Sequence, residues 1–267
     1  MLHVLEKLEM QTGCGDSRVS FETEGGGAWP VWDRYLAIDG KRAYHLGNIC
    51  QTCAFLFKRL EGANTSVEAQ NTADELRSGV CHLSDPVIDR IGKTLPEDNY
   101  IAYLADIDLS IVRPGEHDDF YCKEQVALYG LDSFYDLPHD PRVPYYRAGM
   151  RDIGENSALF QFVVPMFPER WLKANVITSY EEQLKEGRRP TAVSVAVLDV
   201  KGPSDWDDNV GRIHEHWTLT HFLLDGHHKA AASRKAGVPL RLLSFLAVRQ
   251  GVSDHAQVNT TFQALMA

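Results

Sequence analysis

Three apolar runs near the C-terminus constrain the fold most: SVAVLDV at 194–200, WTLTHFLLDG at 217–226 and VPLRLLSFLAV at 238–248. Near-continuous apolarity predicts strands buried on both faces, which requires helices packed over the sheet. Two helices are predicted beside them. TSYEEQLKEG (178–187) has Thr178 or Ser179 as a cap, Glu181 or Glu182 to complete a capping box, and Gly187 as a stop. HHKAAASRKAG (227–237) is alanine-rich and closes on Gly237. The order α-β-β-α-β predicts an α+β class, a mixed sheet with packed helices.

Upstream the pattern is less regular. SFETEGGGAWPV (20–31), with three consecutive glycines and a proline, reads as a loop. WDRYLAIDGKRAYHL reads as two strands turning at Asp39-Gly40. Helices are expected over 53–63, ended by Gly62, over 64–80, ended by Gly79, and over DPVIDRIGKTLP, stopped by Pro96. YIAYLADIDLSIV (100–112) reads as a strand, 113–143 as a long irregular connection, and VPYYRAGMRDI and ALFQFVVPMF as a hairpin around GENS.

No apolar stretch approaches the roughly 18 residues of a membrane span. The N-terminus lacks a basic, then apolar, leader pattern, so the expected compartment is the cytoplasm. Lys and Arg total 27 against 37 Asp and Glu, a net charge of −10 that disfavours general nucleic-acid affinity. Five cysteines, an odd number, argue against a disulfide framework.

The junction LLDGHHKAAA (223–232) carries the chemistry. A helix start exposes unpaired N–H groups and the positive end of the macrodipole, so an anion such as phosphate is stabilised there. Lys229 and a protonated His227 or His228 would add charge-assisted hydrogen bonds. Gly226 permits close backbone approach, and Asp225 could hold a divalent metal or orient a histidine. The plain alternative is turn chemistry with Asp225 as a cap and exposed histidines. On spacing alone that alternative has the edge.

The block SYEEQLKEGRRPTAVSVAVLDV…THFLLDGHHKAAASRKAGVPLRLLSFLAV resembles the ParB/sulfiredoxin superfamily over roughly residues 160–248. Its members share a helix, a strand, a strand ending in a phosphate-binding turn, a helix and a final strand. Sulfiredoxins carry a catalytic cysteine in that turn, where this chain has His227. Chromosome-segregation ParB proteins follow the turn with a helix-turn-helix, and only nineteen residues follow Val248 here. The Asp-Gly-His-His form is similar to the free-serine kinases of the superfamily. Lys229 stands where an arginine is usual, and the 201–216 insertion and long N-terminal half are foreign to those kinases.

The resemblance implies a nucleotide site, for ATP, ADP or CTP with Mg²⁺, at Asp225, Gly226, His227, His228 and Lys229. It implies Glu169 as the base on a small hydroxyl substrate, with free serine the first choice and Asp225 and His228 assisting; Glu181 and Glu182 are competitors that more simply cap or face solvent. It divides the chain into an N-terminal α+β region (1–115), a connecting hairpin and loop region (116–159) and a nucleotide-binding domain (160–267). Two other readings stay open: a non-catalytic nucleotide- or ligand-binding module with a protein partner, and a ParB-like DNA-binding or nuclease protein.

Other clusters have competing readings. Cys50-x-x-Cys53 could be half of a zinc site, a redox pair, or two small buried residues. His214 and His216 with His221 could bind a metal, although a polar loop entering a strand explains them better. Arg188 and Arg189 read as the charge complement of a helix end. The aromatic residues of 120–138 could stack on a base, but read more simply as core.

Overall fold

A computed structural model describes residues 1–51, 57–65, 67, 72–121, 123–125, 143–202 and 213–267. In chain order the N-terminal strands are β1 (Leu2–Thr12), β2 (Val19–Gly26), β3 (Trp29–Ile38), β4 (Lys41–Asn48) and β5 (Lys58–Arg59). Helices α1 (Ala73–Ser78) and α2 (Pro86–Gly92) precede strands β6 (Asp98–Ile107), β7 (Ser110–Val112), β8 (Tyr145–Gly154) and β9 (Ser157–Val164). Then come α3 (Ala174–Lys185), β10 (Thr191–Lys201), β11 (Glu215–Asp225), α4 (His227–Ala236), β12 (Leu240–Ala247) and α5 (His255–Met266).

The protein is α+β, built on a mixed sheet of eight strands in the order β1-β6-β12-β10-β11-β9-β8-β7. Strand β10 runs parallel to β12, and β11 runs parallel to β9; the other neighbours are antiparallel. Every residue of β10 is buried, as its near-continuous apolar run predicts, and its polar residues Thr191, Ser194, Asp199 and Lys201 are buried with the rest. One core cluster, rich in phenylalanine and tyrosine, lies against one face, and a second, holding Tyr103, Trp217 and Phe262, lies against the other. The sheet draws strands from all three segments of the expected division, since β6 pairs with β12.

The sheet is curled. The Leu2 N–H at one end donates to Gln161 Oε1 on β9 at 2.9 Å, and Arg151 on β8 reaches the Leu2 carbonyl at 3.5 Å. Helix α5, started by an Asp254–Gln257 capping box, packs Val258, Phe262 and Leu265 into the second core cluster. Strands β2-β3-β4-β5 form a separate antiparallel sheet. Arg34 on β3 ties it to the large sheet through a buried two-bond contact with Asp199 on β10, at 2.9 and 2.7 Å.

Several sequence expectations need correction. The 20–31 stretch is not a loop: it forms the β2–β3 hairpin, whose register shifts between Glu24 and Gly26 and turns at Gly27 (φ 58°). The glycines supply the bulge and the turn. The described part of 53–63 forms no α-helix. Lys58–Arg59 pairs with β4, and Glu61–Ala63 is a 3₁₀ turn. The Leu60 N–H bonds to the Ala43 carbonyl at 2.8 Å, so edge pairing with β4 has displaced the helical ladder. Helix α1 is shorter than 64–80. Helix α3 starts at Ala174, ahead of Thr178, and its N-cap Lys173 is extended without a side-chain cap.

Candidate functional site

The β11–α4 junction is shaped by Gly226. Its φ of 100° lies in the left-handed region, and a Cβ there would stand 2.4 Å from the Ala192 Cβ. Only glycine lets the chain pass this close to β10 and turn at once into a helix. No side chain caps the α4 start. The first-turn N–H groups of His227, His228 and Lys229 therefore keep the capacity to bind an anion.

Three charged or polar side chains are held around that turn. Lys229 is buried, and its ammonium donates to Asp225 Oδ2 at 2.7 Å and to the Thr191 carbonyl at 2.8 Å. His227 is buried, stacks on Phe167 and accepts the Met166 N–H at Nε2, 2.9 Å away. His228 is half-buried and accepts the Lys173 N–H at Nε2, 3.0 Å away. This bond joins α4 to the residue that starts α3.

A backbone N–H can only donate, so both Nε2 atoms are unprotonated and each neutral ring carries its proton on Nδ1. Burial pushes the His227 pKa down to about 4, outweighing the attraction of Asp225. Burial, with Lys173 nearby, also lowers that of His228. The expectation of a protonated histidine is therefore corrected: the rings offer neutral N–H donors. Lys229 likewise spends its charge on Asp225 rather than standing free.

Two cavities meet at the Phe167–His227 pair. The first, about 170 Å³, is lined by Asp225, Gly226, His227, His228 and Lys229 together with Tyr180. The second, about 90 Å³ and mostly apolar, is lined by Glu169, Arg59 and Tyr146 among others, with Phe167 and His227 as shared wall. Glu169 sits in a 3₁₀ turn, half-exposed, with its carboxylate 3.0 Å from Arg113. The structure thus brings Asp225 through Lys229 together and places Glu169 across the ring pair from them. Glu181 faces Lys235 of α4 at 2.7 Å, an α3–α4 ion pair.

The other clusters separate. His216 packs between Phe120 and Phe160 on one face of the sheet. His221 points to the other face, accepting from the Tyr103 hydroxyl at 2.6 Å and donating to the Phe162 carbonyl at 2.9 Å. His214 is exposed, so these histidines do not converge. Arg188 pairs with Glu186 at the end of α3. Phe120 and Tyr121 are core residues, while 126–138 lie outside the described residues. Cys50 is half-buried, Cys14 and Cys81 are exposed, and Cys53 lies outside the described residues. Among the described residues no group of three or more His, Cys, Asp or Glu is placed to hold a metal.

Sequence reasoning missed Phe167, Tyr180 and the Lys173 N–H. None has a sequence signal, because each reaches the turn through tertiary packing. No protein-family profile, curated protein or solved structure shows significant similarity to the chain.

Proposed function

We propose that the protein is a cytoplasmic, nucleotide-dependent phosphotransferase acting on a small hydroxyl compound, with free serine the first acceptor to try. The observation that carries this reading is the adjacency of two unlike cavities. One ends on the open helix start at His227–Lys229, and the other carries the Glu169 carboxylate, with the Phe167–His227 pair between them. A phosphate donor suits the first and a hydroxyl acceptor the second. Glu169 would take the hydroxyl proton as the oxygen attacks the terminal phosphorus and the nucleoside diphosphate or monophosphate leaves. Its exposed pairing with Arg113 opens at a cost of about 1 kcal/mol or less.

Mg²⁺ suits a site with one carboxylate, because it takes its remaining ligands from phosphate oxygens and water. Asp225 is the residue that would hold it, with one oxygen engaged by Lys229. The ion would neutralise charge on the transferring phosphoryl group. The helix N–H groups and the Nδ1–H of His228 would orient the phosphates.

The test is turnover of ATP, ADP or CTP with Mg²⁺ and serine or another small alcohol, followed by phosphorus NMR. His228→Ala should abolish it, and Glu169→Gln should lower kcat by roughly 10²–10⁴-fold. Turnover untouched by both changes would sink the reading. The tie of Lys229 to Asp225 and the neutral histidines favour a second reading, a nucleotide-binding module without catalysis. Nucleotide binding without turnover would select it.

A further inference from the structure

The cavity at the α4 start adjoins a larger cleft of about 490 Å³, sharing Val67, Tyr180, Leu224, Asp225 and Lys229 as lining. The size falls in the range of small-molecule sites, roughly 300–1,000 Å³. Its far wall comes from the N-terminal region: Leu76 and Arg77 of α1, Ile91 of α2, Thr94 and Arg18. Leu76, Ile91, Val193 and Leu224 are buried side chains that give the cleft an apolar floor.

Among the described residues, the cleft is lined by Arg18, Arg77 and Lys229 and by one acidic residue, Asp225; Arg18 pairs with Asp39 and Lys229 with Asp225, while Arg77 stands 3.9 Å from Asp74. The wall is fixed relative to the helix turn. The Val80 N–H, just past α1, donates to Thr191 Oγ1 at 2.9 Å, and the Thr191 carbonyl accepts from Lys229 at 2.8 Å. Gly79 lies against the Arg189 carbonyl, where a Cβ would be 2.4 Å away. The Ser17 hydroxyl donates to the Thr94 carbonyl at 2.5 Å. A cleft with an apolar floor and two arginine side chains at its rim, continuous with an anion-binding helix start, matches a ligand with a flat apolar part joined to phosphates.

We infer that the N-terminal region supplies the nucleoside half of the donor site: base and ribose lie on Leu76, Ile91, Val193 and Leu224, with Arg18 and Arg77 at the rim. Tyr180, at the junction of the two cavities, offers a ring for stacking. This rests on the reading that phosphates bind at the α4 start. It gives Arg18 and the α1 and α2 residues Leu76, Arg77 and Ile91 a role in the site itself.

The test measures ADP and inorganic pyrophosphate binding to the full chain by calorimetry, with Mg²⁺ at physiological salt. Ala73→Trp, at an exposed position on the cleft wall, fills the cleft without disturbing the core, and Arg77→Glu reverses a rim charge. Wild type should bind ADP at least about tenfold more tightly than pyrophosphate. Each substitution should weaken ADP by about tenfold and leave pyrophosphate within about twofold, which also reports an intact fold. ADP binding unmoved by both, or pyrophosphate weakened equally, overturns the inference. Equal wild-type affinity for ADP and pyrophosphate overturns it while sparing the phosphate site. Binding of neither overturns both readings.

Discussion

His227 and Phe167 lie ring on ring, with centroids 4.1 Å apart and planes 12° from parallel. The contact fixes more than packing. It holds the imidazole where Nε2 meets the Met166 N–H, and so sets the tautomer. It also forms the wall between the cavity that holds Glu169 and the cavity at the α4 start.

His227→Phe separates these roles. The stack survives, but the Met166 N–H loses its acceptor in a buried position. A buried unsatisfied donor costs about 1–3 kcal/mol. Urea unfolding should show a loss of that size. His227→Ala should cost more, because it removes the ring as well. Equal stability of His227→Phe and wild type would contradict the assigned bond.

Acid should weaken the fold well before the carboxylates protonate. Burial pushes His216, His221 and His227 down to about 4. In the unfolded chain these rings titrate near about 6.5. Between the two values the unfolded state binds more protons, so stability rises with pH there. The contribution is complete above about 6.5, falls as pH drops through the window, and is spent below about 4, with a ceiling of roughly 3 kcal/mol per ring. Unfolding midpoints at pH 7.5, 5.5 and 4.5 should fall in that order. His221→Gln should flatten the slope by about a third. A flat profile would mean that the buried rings can protonate in place.

Gly226→Ala should be among the costliest small substitutions in the chain. It forces a side chain to φ 100° and drives a methyl group into Ala192. Strain and overpacking together should cost roughly 2–5 kcal/mol. Adding Ala192→Gly removes the methyl–methyl clash but leaves the position 192 Cα 2.8 Å away and the backbone strain in place. The double variant should therefore recover only part of the loss, measured by the same denaturant midpoints.

Legibility followed local signal. Strands β10, β11 and β12 and helix α4 were plain in the sequence, because buried runs bounded by Gly226 and Gly237 leave few alternatives. The Asp39-Gly40 turn was equally plain, since both residues take positive φ. The β2–β3 hairpin was hidden because its glycines mimic a loop. Helix α5 was overlooked although Asp254 and Gln257 carry its capping box. The state of His227 and His228 was not legible at all. Whether a histidine at a helix start is exposed and charged or buried and neutral depends on what packs over it. Here that is Phe167 and the start of α3, which no spacing reveals.

The Lys229–Asp225 pair should show measurable coupling. Lys229 is 6% exposed while Asp225 is 38% exposed, so the lysine depends on its partner more than the reverse. Asp225→Asn, which leaves the buried ammonium without its counter-charge, should cost about 1–3 kcal/mol, and Lys229→Met, which leaves a partly exposed carboxylate, less. A double-mutant cycle by denaturant unfolding should return a coupling of about 0.5–2 kcal/mol. Lys229→Arg should not restore stability, since the planar guanidinium cannot place one point charge between Asp225 and the Thr191 carbonyl. Additive losses would mean that the two charges are held independently.

Arg34 and Asp199 make the sharpest test of how the two sheets are joined. Both side chains are 7% exposed, and Arg34 also donates to the carbonyls of Gln250 at 2.7 Å and Asn48 at 3.1 Å. Burial opposes the Asp199 charge, but Arg34 holds its pKa below the usual carboxylate range. Removing either partner strands a buried charge, so Arg34→Met and Asp199→Leu should each cost about 3–5 kcal/mol. Replacing both removes the stranded charge and should cost less than the sum. Recovery should still be incomplete, because Asp199 also accepts the Val252 N–H at 2.8 Å. Hydrogen exchange adds a positional readout. If Arg34 is the tie, amides of β2–β4 should exchange faster in Arg34→Met while those of β10 and β12 keep their protection. Uniform loss across both sheets would instead mean that they unfold as one unit whatever joins them.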